Sequence, residues 1–162
     1  MFRGSRGEGL SLDYQKLASF LTSKAVEQYD LLRVLLYCTV DPSQDPHLVQ
    51  RQKALYQKFD GFRNFDVKEF ELKISRDPNG KIIKQEKGVD VALVTDLLLL
   101  ATRNAYDVAI VCAGDADMVS AIEGVKEMGK QVYVAAFDRS CSLALKRSSL
   151  GYISLTENAT KF

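Results

Sequence analysis

With 162 residues, 46% apolar and 27% charged, and a formal charge of +1, the chain has the size and composition of one ordinary globular domain with a real core. No global basic field announces nucleic acid, so any phosphate binding must rest on local clusters. The three cysteines, Cys38, Cys112 and Cys141, form no Cys-x-x-Cys pair, and His47 is the sole histidine. A zinc site, a Ser-His-Asp triad and a Cys-His pair are thereby disfavoured, and hydrolytic chemistry would then run on carboxylates. The apolar run Val91 to Ala101 is too short to span a bilayer and contains Asp96. Met1-Phe-Arg-Gly-Ser-Arg-Gly-Glu-Gly has no apolar core of a signal peptide, so the expectation is a cytoplasmic protein with reduced thiols and no membrane partner.

In chain order, residues 1–10 read as a flexible, Gly- and Arg-rich N-terminus. Leu12, Leu17, Phe20, Leu21 and Val26 share a helical stripe, predicting a helix over 12–28 with Ser11 as N-cap. Leu31 to Val40 is a continuous apolar run, expected as a buried strand. Asp41-Pro-Ser-Gln-Asp-Pro46 reads as a loop into a helix over about 47–60. Residues 67–74 alternate with period two, the pattern of a half-exposed strand. Asp77-Pro-Asn-Gly80 is a turn signal, after which Lys81-Ile-Ile-Lys84 returns as a partner strand.

Lys87-Gly-Val-Asp90 opens a helix over 91–104 that is apolar nearly all round, which predicts burial. Residues 107–113 form a strand, 117–128 a helix closed by Gly129, and 132–137 another strand. A helix over 140–149, a strand over 152–155 and a polar tail over 156–162 complete a single domain spanning 1–162. Strands alternating with helices of this length predict an α/β fold with a mainly parallel sheet and helices in three layers.

The most informative stretch is Val108-Ala-Ile-Val-Cys-Ala-Gly-Asp-Ala-Asp117. It reads as a parallel strand that stops at two acids, and open α/β sheets bind ligands at the carboxyl ends of their strands. Asp90, in the first turn of the preceding helix, and Asp96 within it complete a set of four acids. Converging carboxylates repel one another, and a hard cation such as Mg²⁺ or Mn²⁺ relieves that repulsion. A metal so held lowers the pKa of a water and stabilises charge on a phosphodiester. Each acid also has a plainer reading: Asp115 as a helix cap, Asp117 and Asp90 as first-turn acids, and Asp96 as a buried carboxylate paired within the fold. A single Gly-Asp-x-Asp taken alone favours the cap. Lys81, Lys84 and Lys87, with Arg139, Lys146 and Arg147, form basic clusters suited either to a nucleic-acid backbone or to a solvated face.

Three segments resemble one family: Gln85-Glu-Lys-Gly-Val-Asp-Val-Ala-Leu-Val-Thr-Asp-Leu-Leu98, Asn104-Ala-Tyr-Asp-Val-Ala-Ile-Val-Cys-Ala-Gly-Asp-Ala-Asp117 and Glu127-Met-Gly-Lys-Gln-Val-Tyr-Val134. They are similar to the NYN domain, the LabA-like branch of the PIN-like nuclease superfamily. Weaker similarity runs from Leu12 to Tyr152. The resemblance implies a three-layer, Rossmann-like (PIN-like) α/β/α sandwich, a Mg²⁺ or Mn²⁺ site, and single-stranded or structured RNA as substrate. Carried over by motif, Asp90, Asp115 and Asp117 would be catalytic and metal-holding acids, Asp96 a supporting acid and Lys87 a nearby basic residue. Lys84, Arg139, Lys146 and Arg147 would contact RNA.

The family begins with an apolar strand ending in an aspartate, followed shortly by an asparagine. Residues 1–9 offer neither. The first strand is therefore expected to be missing or replaced, through truncation or natural degeneration, and catalysis to be weak or absent for want of one ligand aspartate. The strands starting at Leu31 and Val108 would then pair directly, or accept a segment from the N-terminus or from a partner chain, as in a homodimer. Three function classes follow: a metal-dependent endoribonuclease, a non-catalytic RNA-binding or protein-interaction module, and a small-molecule phosphohydrolase using the same acids.

Overall fold

The computed structural model describes residues 12–161. The expectations for the flexible N-terminus and for a missing first strand fall outside these residues, whereas the first helix is capped by Asp13 and not by Ser11. The described residues form two compact units, one comprising Leu31–Thr95 and the other the residues up to Asp30 together with those from Asp96 onward.

In the unit formed by the two ends of the chain, α1 spans Tyr14–Ala25. Its N-cap is Asp13, whose carboxylate accepts the amides of Gln15 and Lys16 at 3.1 and 3.0 Å and so satisfies donors that the first turn leaves unpaired. The strands β5 (Val108–Val111), β6 (Gln131–Ala136) and β7 (Gly151–Ser154) make a parallel sheet in that order. Their register pairs Ile110 with Tyr133 and Ala135 with Ile153. Alternation therefore puts Ile110, Ala135 and Ile153 on one face, where Leu17 and Leu21 of α1 close a core with Leu155. Val132, Val134 and Ala136 point the other way. On β6 packs α4 (Val119–Glu127), burying Ile122 and Val125 completely, with α5 (Leu143–Ser148) beside it. Helices thus cover both faces of this parallel sheet, as the α/β/α layering predicts.

The amino-terminal edge of this sheet is pinned by polar groups. Lys130 is buried, and its Nζ donates to Asn104 Oδ1 and lies 3.5 Å from Asp107 Oδ1. The glycine before it, Gly129, takes φ 79°, the left-handed conformation that ends α4. The Gly-Lys pair of the motif therefore anchors the starts of β5 and β6, at the end of the strands opposite Asp115.

In the unit Leu31–Thr95, β1 (Val34–Val40) pairs in parallel with β2 (Phe65–Glu71), and α2 (Pro46–Asp60) connects them. Asp45 caps α2 with Pro46 at its first position, an order that Asp-Pro at a loop end favours. Tyr56 Oη and Gln52 Nε2 of α2 both donate to Thr39 O, at 3.1 and 3.0 Å, and tie the helix to β1. The strand begins at Val34, not Leu31, and most of it is half-buried rather than fully buried. One covering helix explains this, since only one face of a two-stranded sheet can rest on α2.

The period-two stretch 67–74 is two strands, not one. It breaks at Leu72, whose amide still donates to Val40 O at 2.9 Å, and β3 (Lys73–Arg76) then pairs antiparallel with β4 (Ile82–Gln85). The predicted turn joins them: Asp77 Oδ1 accepts the amides of Asn79 and Lys81 at 2.9 and 2.8 Å, and Gly80 takes φ 79°.

The helix α3 spans Val89–Thr102. Its all-round burial is not observed: Leu97 and Ala101 are buried, whereas Val91 is 70% and Leu99 46% exposed. Leu97 and Ala101 are four residues apart and define one stripe, and composition alone cannot say which stripe meets a core. Direct pairing of the strands containing Val34 and Val108 is not observed either, since β1 and β5 belong to separate sheets. No described helix is long and apolar enough to cross a membrane.

Candidate functional site

Past the carboxyl end of β5 the chain turns at Gly114 and enters a 3-10 turn, Ala116–Met118, before α4. Gly114 is a packing requirement. A Cβ there would lie 1.9 Å from Ser140 O, because the loop after β6 crosses the end of β5 and Ser142 N donates to Gly114 O at 2.9 Å. Asp115 is the N-cap of the 3-10 turn, its Oδ1 accepting the amide of Asp117 at 3.1 Å. Both carboxylates are exposed. The cap uses one oxygen of Asp115; the other, Oδ2, and the Asp117 carboxylate accept no hydrogen bond from a described residue. The plain reading of Asp115 as a cap is thus observed, and it leaves lone pairs over for a ligand.

The remaining predicted acids divide between the two units. Asp96 is half-buried on α3 and belongs with Asp115 and Asp117, whereas Asp90, exposed in the first turn of α3, belongs to the unit Leu31–Thr95. Lys87 is exposed ahead of α3, and Gly88 beside it takes φ 89°. Among the described residues, no group of three or more His, Cys, Asp or Glu is gathered closely enough to hold a metal ion.

The four predicted RNA-contacting cations also divide. Lys84 is engaged, with Nζ 2.5 Å from Asp41 Oδ2. Lys146 Nζ lies 3.5 Å from Asp138 Oδ1 and 4.0 Å from the centre of the Tyr152 ring, a combined ion pair and cation–π contact. Arg139 and Arg147 are exposed and form no ion pair with a described residue.

Two acids that the motifs do not single out are heavily bonded. Asp138 follows β6 as Asp115 follows β5. Its carboxylate accepts Tyr152 Oη and Ser154 Oγ, both at 2.8 Å, while its amide donates to Thr156 Oγ1 at 3.0 Å. The bond from Tyr152, then that from Ser154, with the Lys146 charge beyond them, lowers its pKa below the usual carboxylate value. Burial, reinforced by Asp138, raises that of Tyr152. Asp41 follows β1, is 6% exposed, and accepts Ser43 N and Oγ at 3.0 and 2.7 Å as well as Lys84. The bond from Lys84, then that from Ser43, lowers its pKa to about 2. The signal for both was present: an apolar run ending in an acid.

The cysteines are free. Burial raises the pKa of Cys112 to about 11, and burial with the charge of Glu69 raises that of Cys38 to about 11. Both are therefore thiols, not thiolates, at neutral pH and make poor nucleophiles.

A family model for the NYN domain matches residues 2–156. No curated protein matches the chain. Among solved structures, the crystal structure of a protein of unknown function from Vibrio parahaemolyticus is similar, with 22% sequence identity and a TM-score of 0.58, covering 88% of this chain and 78% of that one. At that identity the likeness is one of fold. With acids exposed beyond the end of a parallel strand, helices on both faces of its sheet, and the family match over nearly its whole length, the chain belongs to the NYN domain family, within the PIN-like nuclease superfamily.

Proposed function

We propose that the protein is a divalent-metal-dependent endoribonuclease in which Asp115 and Asp117 would hold Mg²⁺ or Mn²⁺. The observation that carries this reading is the Gly114-Asp115-Ala116-Asp117 rim in a chain of NYN family membership: two exposed carboxylates beyond a strand end, one of them already oriented by its cap. The donor chemistry fits, since Mg²⁺ and Mn²⁺ prefer hard carboxylate oxygens and retain waters. The metal would supply Lewis acidity and an activated water for phosphodiester hydrolysis. Asp115 and Asp117 bring negative charge and free lone pairs to the rim, and the cap fixes the turn between them. Asp96 would support the acids from α3. Arg139 and Arg147 are free to meet the RNA backbone, while Lys84 and Lys146 do so only by sharing their charge with Asp41 and Asp138.

The test is cleavage of single-stranded RNA with and without Mn²⁺ by wild type and Asp115→Asn. Asparagine caps a helical turn as well as aspartate does, so this variant keeps the cap and removes only the charge. Metal-dependent cleavage lost in the variant is the expected result. Equal cleavage by both would discard the assignment. Uncleaved but bound RNA, insensitive to metal, would favour the second reading, a non-catalytic RNA-binding module, which the capping role of Asp115 makes the nearest competitor.

A further inference from the structure

The β3–β4 hairpin belongs to the unit Leu31–Thr95, and its composition departs from the rest of the chain. Residues 73–85, Lys-Ile-Ser-Arg-Asp-Pro-Asn-Gly-Lys-Ile-Ile-Lys-Gln, carry four cations against one acid in a chain whose net charge is +1. Acids therefore outnumber bases over the remainder. All eight residues of the two strands are exposed. The hairpin's acid, Asp77, is turned inward onto the amides of Asn79 and Lys81, and Lys84 is held by Asp41. Lys73, Arg76 and Lys81 remain, exposed and without an ion pair to a described residue.

We propose that this hairpin is an arm that binds the phosphate backbone of RNA through Lys73, Arg76 and Lys81. This rests on the nuclease reading for the choice of nucleic acid, but it assigns a surface outside the acidic residues. Charge complementarity selects the occupant: three unpaired cations on a short ribbon suit a polyanion. The arm contains no aromatic residue, so it lacks the stacking platform that reads single-stranded bases, and its contacts are to phosphates, independent of sequence. Its stiffness is built in. A two-stranded ribbon alone is marginally stable, and here the Asp77 turn fixes one end while the Lys84–Asp41 pair, 2.5 Å long, fixes the other. Ile74 and Ile82, diagonal neighbours on one face of the register, add β-branched packing between the strands.

The experiment is fluorescence anisotropy of a labelled oligouridine with the full chain in EDTA, where no metal-dependent cleavage occurs, over a series of KCl concentrations. The double variant Arg76→Ala/Lys81→Ala changes only exposed side chains. It should bind roughly tenfold more weakly at low salt, with the slope of log affinity against log salt reduced by about 1.4, near 0.7 for each single-strand phosphate that is no longer neutralised. Arg76→Lys/Lys81→Arg should restore both. Wild-type affinity and slope in the double variant would overturn the arm, and Mn²⁺-dependent cleavage in the same preparation would show that the nuclease reading survives. Conversely, wild type that binds but never cleaves, with binding lost in the double variant, would retain the arm and discard the nuclease. Wild type that does not bind RNA, or binding to a protein that depends on Ile82 and Ile83 and ignores salt, would also overturn the arm.

Discussion

Asp115 and Asp138 stand beyond the carboxyl ends of neighbouring strands, β5 and β6, and the fold uses them differently. The carboxylate of Asp138 takes two hydroxyl donors and an ammonium from residues of α5 and β7. That of Asp115 takes a single amide, two residues away. The first is a structural tie whose lone pairs are largely committed; the second is a cap with capacity left over. Two acids with the same sequence signature therefore differ in what they can offer a ligand, because a carboxylate has a fixed number of acceptor sites and neighbours fill them first.

The contrast can be broken most decisively at Asp115 and Asp117. Under the proposed function, Asp115→Asn and Asp117→Asn each lower metal-dependent RNA cleavage by at least roughly a hundredfold, because removing even an outer partner of a metal commonly costs 10–100-fold. Their urea midpoints should stay near that of wild type. Asp138→Asn should do the reverse, lowering the midpoint more than the turnover of folded protein.

Gly114→Ala comes next. A Cβ placed 1.9 Å from Ser140 O must displace backbone, and overpacking of this kind costs about 1–3 kcal/mol or more. Urea denaturation measures the loss; wild-type stability would mean that the loop after β6 does not rest on the end of β5.

Tyr152→Phe sharpens the Asp138 side. Tyr152 Oη lies 2.8 Å from both Asp138 Oδ1 and Ala136 O, and removing the hydroxyl should cost about 1 kcal/mol. Because that hydroxyl is the largest cause lowering the Asp138 pKa, the carboxyl should titrate at a higher pH in the variant. An NMR titration showing an unmoved midpoint would contradict this.

The smallest effect concerns Asp41. Its folded pKa of about 2 lies below the ordinary value near 3.9. A depressed carboxylate pKa stabilises the fold above the unfolded value, and that contribution is lost as pH falls through the folded one. The stability difference between wild type and Asp41→Asn should thus be constant at neutral pH and disappear between roughly pH 4 and pH 2. A difference that persists below pH 2 would mean the Asp41–Lys84 pair is not its source.

Local chemistry made much of the fold legible. The Asp77-Pro-Asn-Gly80 turn, the loop before α2, Gly129 after α4 and the parallel strand of Val108 are written in residues a few positions apart, because caps, turns and periodicity depend on near neighbours. The break at Leu72 was not legible, since Leu72 belongs to an unbroken alternation and only pairing partners separate β2 from β3.

The sequence by itself determined the alternating α/β order, the Gly-Asp-x-Asp rim and the family motifs. Only the tertiary structure decided which charges are committed. Asp138 meets Tyr152 and Ser154 across the sheet, Asp41 meets Lys84 across 43 positions, and Lys130 meets Asn104 across 26. Those meetings are set by strand register and by where loops cross, and neither is encoded in any local pattern. The same long-range geometry leaves Asp115, Asp117, Arg76 and Lys81 with unspent charge.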